Sequence, residues 1–425
     1  MAAKIRKDRH GSGEELSKTY RRGDLVRGLM RFLVFLALVG GGGLIALKMY
    51  LHSNAATSQI AARLQAALGV PVTVGAVELG GSNSAATDIT IYEADAPTGS
   101  LPLVIIGRAT TDIGVADFIS GSTEPRKIGL SDVHLTLRYD RDGHLLTRLP
   151  AAHAPSKALP EFRLDRGSVT ISKEGESDCT FCGMNAVVIE KDSRVSINGT
   201  INDSNWGGTW KATGSFPRKP GIGSMQLKIA NVHVTQERLR RVPFVSEQVW
   251  QHVTLEGDTP VDLQLTLPSP PAPVSYRVTL SPTNTSVFIP SIDLTAAAAQ
   301  GSVVVEDDLV MLRDVRGKVA TGDLHVISAD LDYRNPSTMM KFDLDGRRLN
   351  IRDLPAKWKL PHGLGGKLTG TAKLVVRIVD GVAVPTGTGD GYVDEATLGR
   401  IPIPNYGLHI KADRDGFNFQ PRLGQ

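Results

Sequence analysis

The sequence predicts a mostly-β protein carried behind a single N-terminal transmembrane helix. Three observations predict it: a charge-free apolar run near the start, period-two alternation of apolar and polar residues through the rest of the chain, and turn residues between the alternating runs. An aromatic content of only 5%, with 44 Gly and 24 Pro in 425 residues, fits many short strands better than large helical cores.

The first element is the anchor. Arg31 and Lys48 bracket an apolar stretch from Phe32 to Leu47 that holds no ionisable side chain. Spanning a bilayer usually takes about 17–25 residues, so this core is slightly short. Both flanking cations can snorkel to the headgroups, and Met49, Tyr50 and Leu51 extend the run, giving an anchor over 32–51 with Phe32, Leu36, Leu44 and Leu47 along it. Residues 1–31 carry nine Lys and Arg against four acids, a local charge of +5 in a chain of net +4, so the remainder totals −1. Positive flanks stay cytoplasmic, which places the N-terminus inside and the long C-terminal part across the membrane. The large region has no net basic field, which removes support for nucleic-acid binding. The competing reading is a cleaved signal peptide, with Ser53-Asn-Ala55 before the cut. A charged leader of 31 residues is long for that role, and the apolar run exceeds a typical signal core.

A short helix follows over 52–69. Ile60, Leu64, Ala67 and Leu68 share one face, Gly69 ends it, and Pro71 lies just beyond. From 70 to 425 alternation dominates. In Val133-His-Leu-Thr-Leu-Arg-Tyr139 the odd positions are apolar or aromatic, and Val261 to Leu267 and Arg194 to Asn198 repeat the pattern. Turns are expected at Arg141-Asp-Gly143, Asn202-Asp203, Glu256-Gly-Asp258, Asp345-Gly346, Asp380-Gly381 and Asp415-Gly416. Two blocks interrupt the strands, at about 230–270 and 349–378. Each has a Pro, then a Trp (Trp250, Trp358), then Leu-x-Gly and an alternating strand, a weak internal repeat of the kind that builds stacked units. The first block predicts helical turns at Glu237–Arg241 and Ser246–Trp250.

Candidate chemistry is sparse. Cys179 and Cys182 form a C-x-x-C in strand-like surroundings. An oxidising compartment favours a small local disulfide or a pair of thiols over redox chemistry, and zinc would need further ligands that are not near. Gly365-Gly-Lys367 lacks the leading glycine of a phosphate loop and has Leu368 where a hydroxyl should bind magnesium, so it reads as turn glycine. The chain holds neither a G-x-S-x-G elbow nor an H-E-x-x-H pair. His134 and His233 sit in strand-like runs as polar-face residues. Asp307, Asp308, Asp330, Asp332, Asp343 and Asp345 imitate calcium ligands but follow the polar face of strands. Asn198-Gly-Thr and Asn284-Thr-Ser are sequons that matter only in a glycosylating host. No enzyme, metal or cofactor is expected.

The plan resembles the AsmA-like superfamily, including the TamB-type proteins of Gram-negative envelopes. The residues that carry the likeness are the tail, anchor and helix leading into Leu68-Gly-Val-Pro-Val-Thr-Val-Gly75, the stretch Ile128–Gly143, and the unit Asn198–Gly208. Val315–Leu324 and Leu364–Ala372 add repeated small-apolar-glycine steps. The resemblance covers most of 25–420, and family members are often much longer. It implies an elongated, curved antiparallel sheet, a β-taco or groove with a few short helices, whose concave apolar face holds lipid acyl chains. Val133, Leu135, Leu137, Val195, Ile197, Leu263, Leu265 and Leu267 are then the groove-facing candidates, while an ordinary sandwich core would need the same alternation. The function implied is a single-pass inner-membrane protein with its bulk in the periplasm, guiding phospholipid in outer-membrane biogenesis. The alternative is a non-catalytic scaffold that pairs strands with outer-membrane assembly proteins.

Overall fold

The computed structural model describes residues 54–94, 101–114, 117, 120, 125–140, 146–148, 159–175, 178–218, 221–240, 254–267, 275–290, 293–306, 309–332, 339–358, 360, 362–379, 382–413 and 416–422. The basic tail and the apolar run with Phe32, Leu36, Leu44 and Leu47 lie outside the described residues, as do Ser246–Trp250. Among the described residues no helix is long and apolar enough to cross a membrane.

Helix α1 (Asn54–Leu68) opens the described chain. Leu64 and Leu68 are buried on the expected face. Gly69 takes a left-handed φ of 65°, and its N–H donates to the Gln65 carbonyl at 2.8 Å, which is how glycine stops a helix without a Cβ clash.

Among the described residues, twenty-two strands then form one sheet. β1 (Val72–Thr73) and β2 (Ala76–Leu79) both pair with β3 (Ser84–Ile91), which pairs with β4 (Val104–Thr111), which pairs with β5 (Lys127–Tyr139), all antiparallel. β5 and β6 (Glu161–Lys173) are parallel, so the chain between them must return along the length of a strand. From β6 onward the strands meander antiparallel through β7 (Cys179–Lys191), β8 (Arg194–Asp203), β9 (Gly208–Pro217), β10 (Gly223–Val234) and β11 (Thr254–Leu267). β12 (Ser275–Leu280) and β13 (Asn284–Ile289) share the place between β11 and β14 (Leu294–Glu306). The meander continues with β15 (Leu309–Val319), β16 (Gly322–Asp332), β17 (Met339–Asn350), β18 (Leu364–Val379) and β19 (Val382–Leu398). The short β20 (Ile401–Pro402), then β21 (Tyr406–Asp413) and β22 (Gly416–Arg422), complete it.

Burial falls on one face, but not with a constant parity. On β5, Ile128 and Leu130 are buried and then Val133, Leu135 and Leu137 are buried, so the inward set changes from even to odd at Asp132. Asp132 has a φ of 54°, the mark of a bulge residue. Without that bulge the two halves of β5 would present their apolar residues to opposite faces. Arg166 on β6 and Asp314 on β15 do the same, with φ of 53° and 50°. The bulges line up: Asp88 on β3 (φ 53°), Gly107 on β4 and Asp132 on β5 lie abreast, with Arg166 beside them on β6. A Cβ on Gly107 would come within 2.9 Å of the Asp132 Cβ, so the Asp bulge occupies the room its glycine neighbour leaves.

Two expected turns are strand interior instead. Glu256-Gly-Asp258 lies within β11 and Asp345-Gly346 within β17. Gly257, at φ 138°, packs against Thr285 of β13, so its freedom serves a close strand approach rather than a reversal. Gly365-Gly-Lys367 is likewise in β18, where Gly366 (φ 132°) sits at a register shift. The two blocks that interrupt the strands differ in form: the first leaves β10 through α2 (Gln236–Arg240), and the second leaves β17 through two single 3-10 turns, η1 (Ile351–Asp353) and η2 (Ala356–Trp358). Strand register puts both at the end of the sheet where α1 enters.

Candidate functional site: a half-open stretch of the apolar face

The apolar face carries two clusters of buried side chains. One gathers α1 and β1 to β8 with Phe216 and Leu267; the other runs from β10 to β22 with η1. Val133, Leu135, Leu137, Val195, Ile197 and Leu267, predicted as groove-facing, are buried together in the first. Leu263 is half-buried against the second, and Leu265, also half-buried, packs against both. The eight candidates are thus on one face, but they differ in access.

The boundary between the clusters crosses β8 to β12. Backbone pairing sets one row across it, Gly199, Ala212, Leu227, Leu263 and Val278, and a second row, Ile197, Gly214, Met225, Leu265 and Tyr276. Met225, Leu227, Leu263, Leu265 and Val278 are only partly buried, although each faces inward by its strand parity. One end of the stretch has aromatic walls: Phe181 and Trp206 stack with ring centroids 4.9 Å apart, and the Trp210 Nε1 donates to the Trp206 carbonyl at 3.0 Å. At the other end Phe216 is buried over Gly214 and Gly223. The polar side chains buried nearby are satisfied. The hydroxyls of Thr259 and Thr285 donate to the carbonyls of Pro260 and Asp258, and the Asp203 carboxylate accepts the N–H groups of Cys182 at 2.7 Å and Asn205 at 2.8 Å. This surface offers a ligand apolar contact and shape. Sequence reading missed Phe181, Trp206, Trp210, Met225 and Leu227 as site residues. The alternation in Met225-Gln-Leu-Lys-Ile229 was a visible signal for two of them.

The outer face is polar and self-paired. Asp132 accepts two hydrogen bonds from Arg166, at 2.7 and 2.8 Å, and Arg166 also pairs with Asp165. The hydrogen bond from Arg166 holds the Asp132 carboxyl below its usual range, outweighing a small opposing desolvation. Because the folded value is lowered from the ordinary 3.8, the pair adds stability above that value and loses it as pH falls through the lowered one. The group is fully exposed, so the effect is small. Asp132→Asn is expected to lower the unfolding midpoint slightly at neutral pH and not at all in strong acid, measured as the difference between variant and parent across an acid titration.

Of the carboxylates that imitate calcium ligands, Asp307 and Asp308 lie outside the described residues, and three others have basic neighbours. Asp330 accepts from Arg313 at 2.6 Å, Asp345 from Arg347 at 3.0 Å, and Asp343 faces Lys373 at 3.8 Å. Among the described residues no group of three or more His, Cys, Asp or Glu could hold a metal. His134 Nδ1 meets the Ser168 hydroxyl at 2.8 Å, but its Nε2 faces Thr170 at 3.5 Å rather than a carboxylate, so the pair lacks the third member of a hydrolytic triad. His233 bonds Asp258 at 2.8 Å on the exposed face.

Cys179 and Cys182 are thiols, the second of the two structural alternatives the sequence leaves open. Both lie on β7, where three residues of strand at ~3.3 Å each separate their Cα atoms by roughly 10 Å. A disulfide spans about 4.4–6.8 Å. Burial, and then the charge of Asp203, push the Cys182 thiol up, away from thiolate chemistry.

Comparison of the chain with protein-family models, curated proteins and solved structures finds no match. The half-open stretch therefore stands on its own geometry.

Proposed function

We propose that this chain is a membrane-anchored envelope protein that binds or guides phospholipid acyl chains along the apolar face of its sheet. The observation that carries the reading is the stretch at β9 to β12, where inward-facing Met225, Leu227, Leu263 and Leu265 stay only partly buried between two packed clusters. Leaving large aliphatic side chains wet forfeits roughly 25 cal/mol per Å² of apolar area, a cost that an alkyl ligand removes. A single sheet with one apolar face buries that face by curving around it, and aligned bulges supply such curvature, so the reading takes the sheet as a trough. The charge-free run 32–47 and the basic tail before it make the membrane the source of the ligand, with the sheet on the far side from the tail.

Lipid mass spectrometry of residues 53–425 purified without detergent is expected to find stoichiometric phospholipid. Leu265→Asp should fold and lose most of that lipid, since its carboxylate sits at a half-open position and stays hydrated. A lipid-free, monodisperse protein, or a Leu265→Asp variant with its lipid intact, would sink the reading.

The second reading is a strand-pairing scaffold, favoured by the edge at β22. Among the described strands β22 pairs with β21 alone, and their register holds from Gly407–Arg422 to Asp413–Gly416 without a bulge. Edges of that kind accept an added strand. Lipid-free protein that captures an extended client segment at β22 would favour it.

A further inference from the structure

We infer that an acyl chain on this stretch lies along the strands, with its polar head at the Trp206–Trp210 end and its methyl end toward Phe216. The inference rests on the acyl-chain reading above and adds its direction.

The two ends differ in chemistry. Trp206 and Trp210 are two of the four tryptophans in the chain, both half-buried. Trp210 packs against one cluster, while Trp206 stacks on Phe181, which packs against the other. They therefore flank the boundary between the clusters. The residues around Trp206 are polar, with Ser204 and Asn205 exposed and the Asp203 carboxylate bonded just beneath. An indole with an apolar wall on one side and a wet turn on the other suits the junction between alkyl chain and headgroup. The opposite end is closed. Phe216 is only 2% exposed, and a Cβ on Gly223 or Gly214 would come within 2.6 or 2.9 Å of its ring. The cations beside that end are already engaged, Arg194 with the Ser215 hydroxyl at 2.8 Å and Arg218 with Glu190 at 2.8 Å.

Length agrees. Trp210 and Phe216 lie six residues apart on β9. At about 3.4 Å per residue that is roughly 20 Å. One leaflet of a bilayer core is about 15 Å deep, so the stretch takes one extended chain from ester to methyl. A ligand lying across the strands would instead run into the buried clusters on either side.

The test uses tryptophan fluorescence of the full chain in non-ionic detergent, with Trp250→Phe and Trp358→Phe so that Trp206 and Trp210 report. Two phosphatidylcholines are added, brominated near the carbonyl end or near the methyl end of one chain. The expected result is a larger loss of fluorescence with bromine near the carbonyl. Equal loss, or a larger loss from the methyl-end bromine, overturns the direction while leaving binding intact. No loss with either lipid, in a protein that also co-purifies without lipid, fails the acyl-chain reading itself. If the double variant does not fold, the parent chain is read instead, and the same sign of difference is required.

Discussion

Leu135→Asp is expected to unfold the N-terminal half of the sheet, whereas Leu265→Asp leaves the fold in place. Leu135 is 0% exposed and pairs across β5 with Val104 and Val169, inside the cluster that α1 also covers. An aspartate there loses the buried leucine, worth about 2–5 kcal/mol by large-to-small comparisons. It also buries a carboxylate within an apolar cluster, which adds several kcal/mol more or forces the group to be neutral. Native domains have only about 5–15 kcal/mol in total, so the two costs together are decisive. Leu265 carries the same alternation signal but is only partly buried, so a carboxylate there keeps access to water. Circular dichroism and limited proteolysis of the two variants check the contrast. A Leu135→Asp protein with a parent-like denaturation midpoint would show that this part of the face is wet, and the division into packed and open stretches would fail.

Gly387→Val is expected to break the pairing of β18 with β19. Gly387 has a φ of 146°, a region closed to side-chain-bearing residues, and a Cβ there would lie 2.1 Å from the Lys373 carbonyl oxygen and 3.0 Å from the Leu374 Cα. Both atoms are backbone of the neighbouring strand, so no rotamer change relieves the contact. β18 and β19 are 16 and 17 residues long and register from Leu364–Leu398 to Val379–Val382, so a wedge in their middle separates the strands that follow from the rest of the sheet. A loss of several kcal/mol is expected, in the class of strained-backbone and overpacking changes. Gly399→Ala is the control. It has a φ of 64° but open space around its Cβ, so it should cost only about 1–2 kcal/mol. Equal midpoints for the two variants would show that the close approach at Gly387 is not the constraint.

Much of the fold was legible because strand alternation and helix capping are local. The helix ending at Gly69 and the strands at Val133–Tyr139, Arg194–Asn198 and Val261–Leu267 are where the pattern places them. Asp-Gly and Gly-Asp pairs were a poorer guide. Glu256–Asp258 and Asp345–Gly346 have turn composition but serve strand interiors, because a glycine that frees the chain to turn also frees it to let a neighbour approach. The bulges left a trace that alternation alone would reveal. Ile128 and Leu130 are out of phase with Val133 and Leu135, and the break falls on an aspartate, a residue that tolerates positive φ.

The candidate site was legible as a face and not as a site. The same alternation placed Leu135 and Leu265 together, and only the packing of remote strands separates them. The cysteine pair shows the limit from the other side. C-x-x-C spacing permits a bridge in a turn and forbids one in a strand, and the pairing of β6, β7 and β8 made it a strand.

By itself, then, the sequence determined a charge-free run behind a basic tail, a capped helix, and strands with one dry face, since each depends on residues within a few positions of one another. Tertiary structure decided which dry faces are covered, where parity shifts, and which end of the uncovered stretch is aromatic and which is closed. Those depend on which strands become neighbours, and a period of two is the same whether the face it creates meets another side chain, a ligand or water.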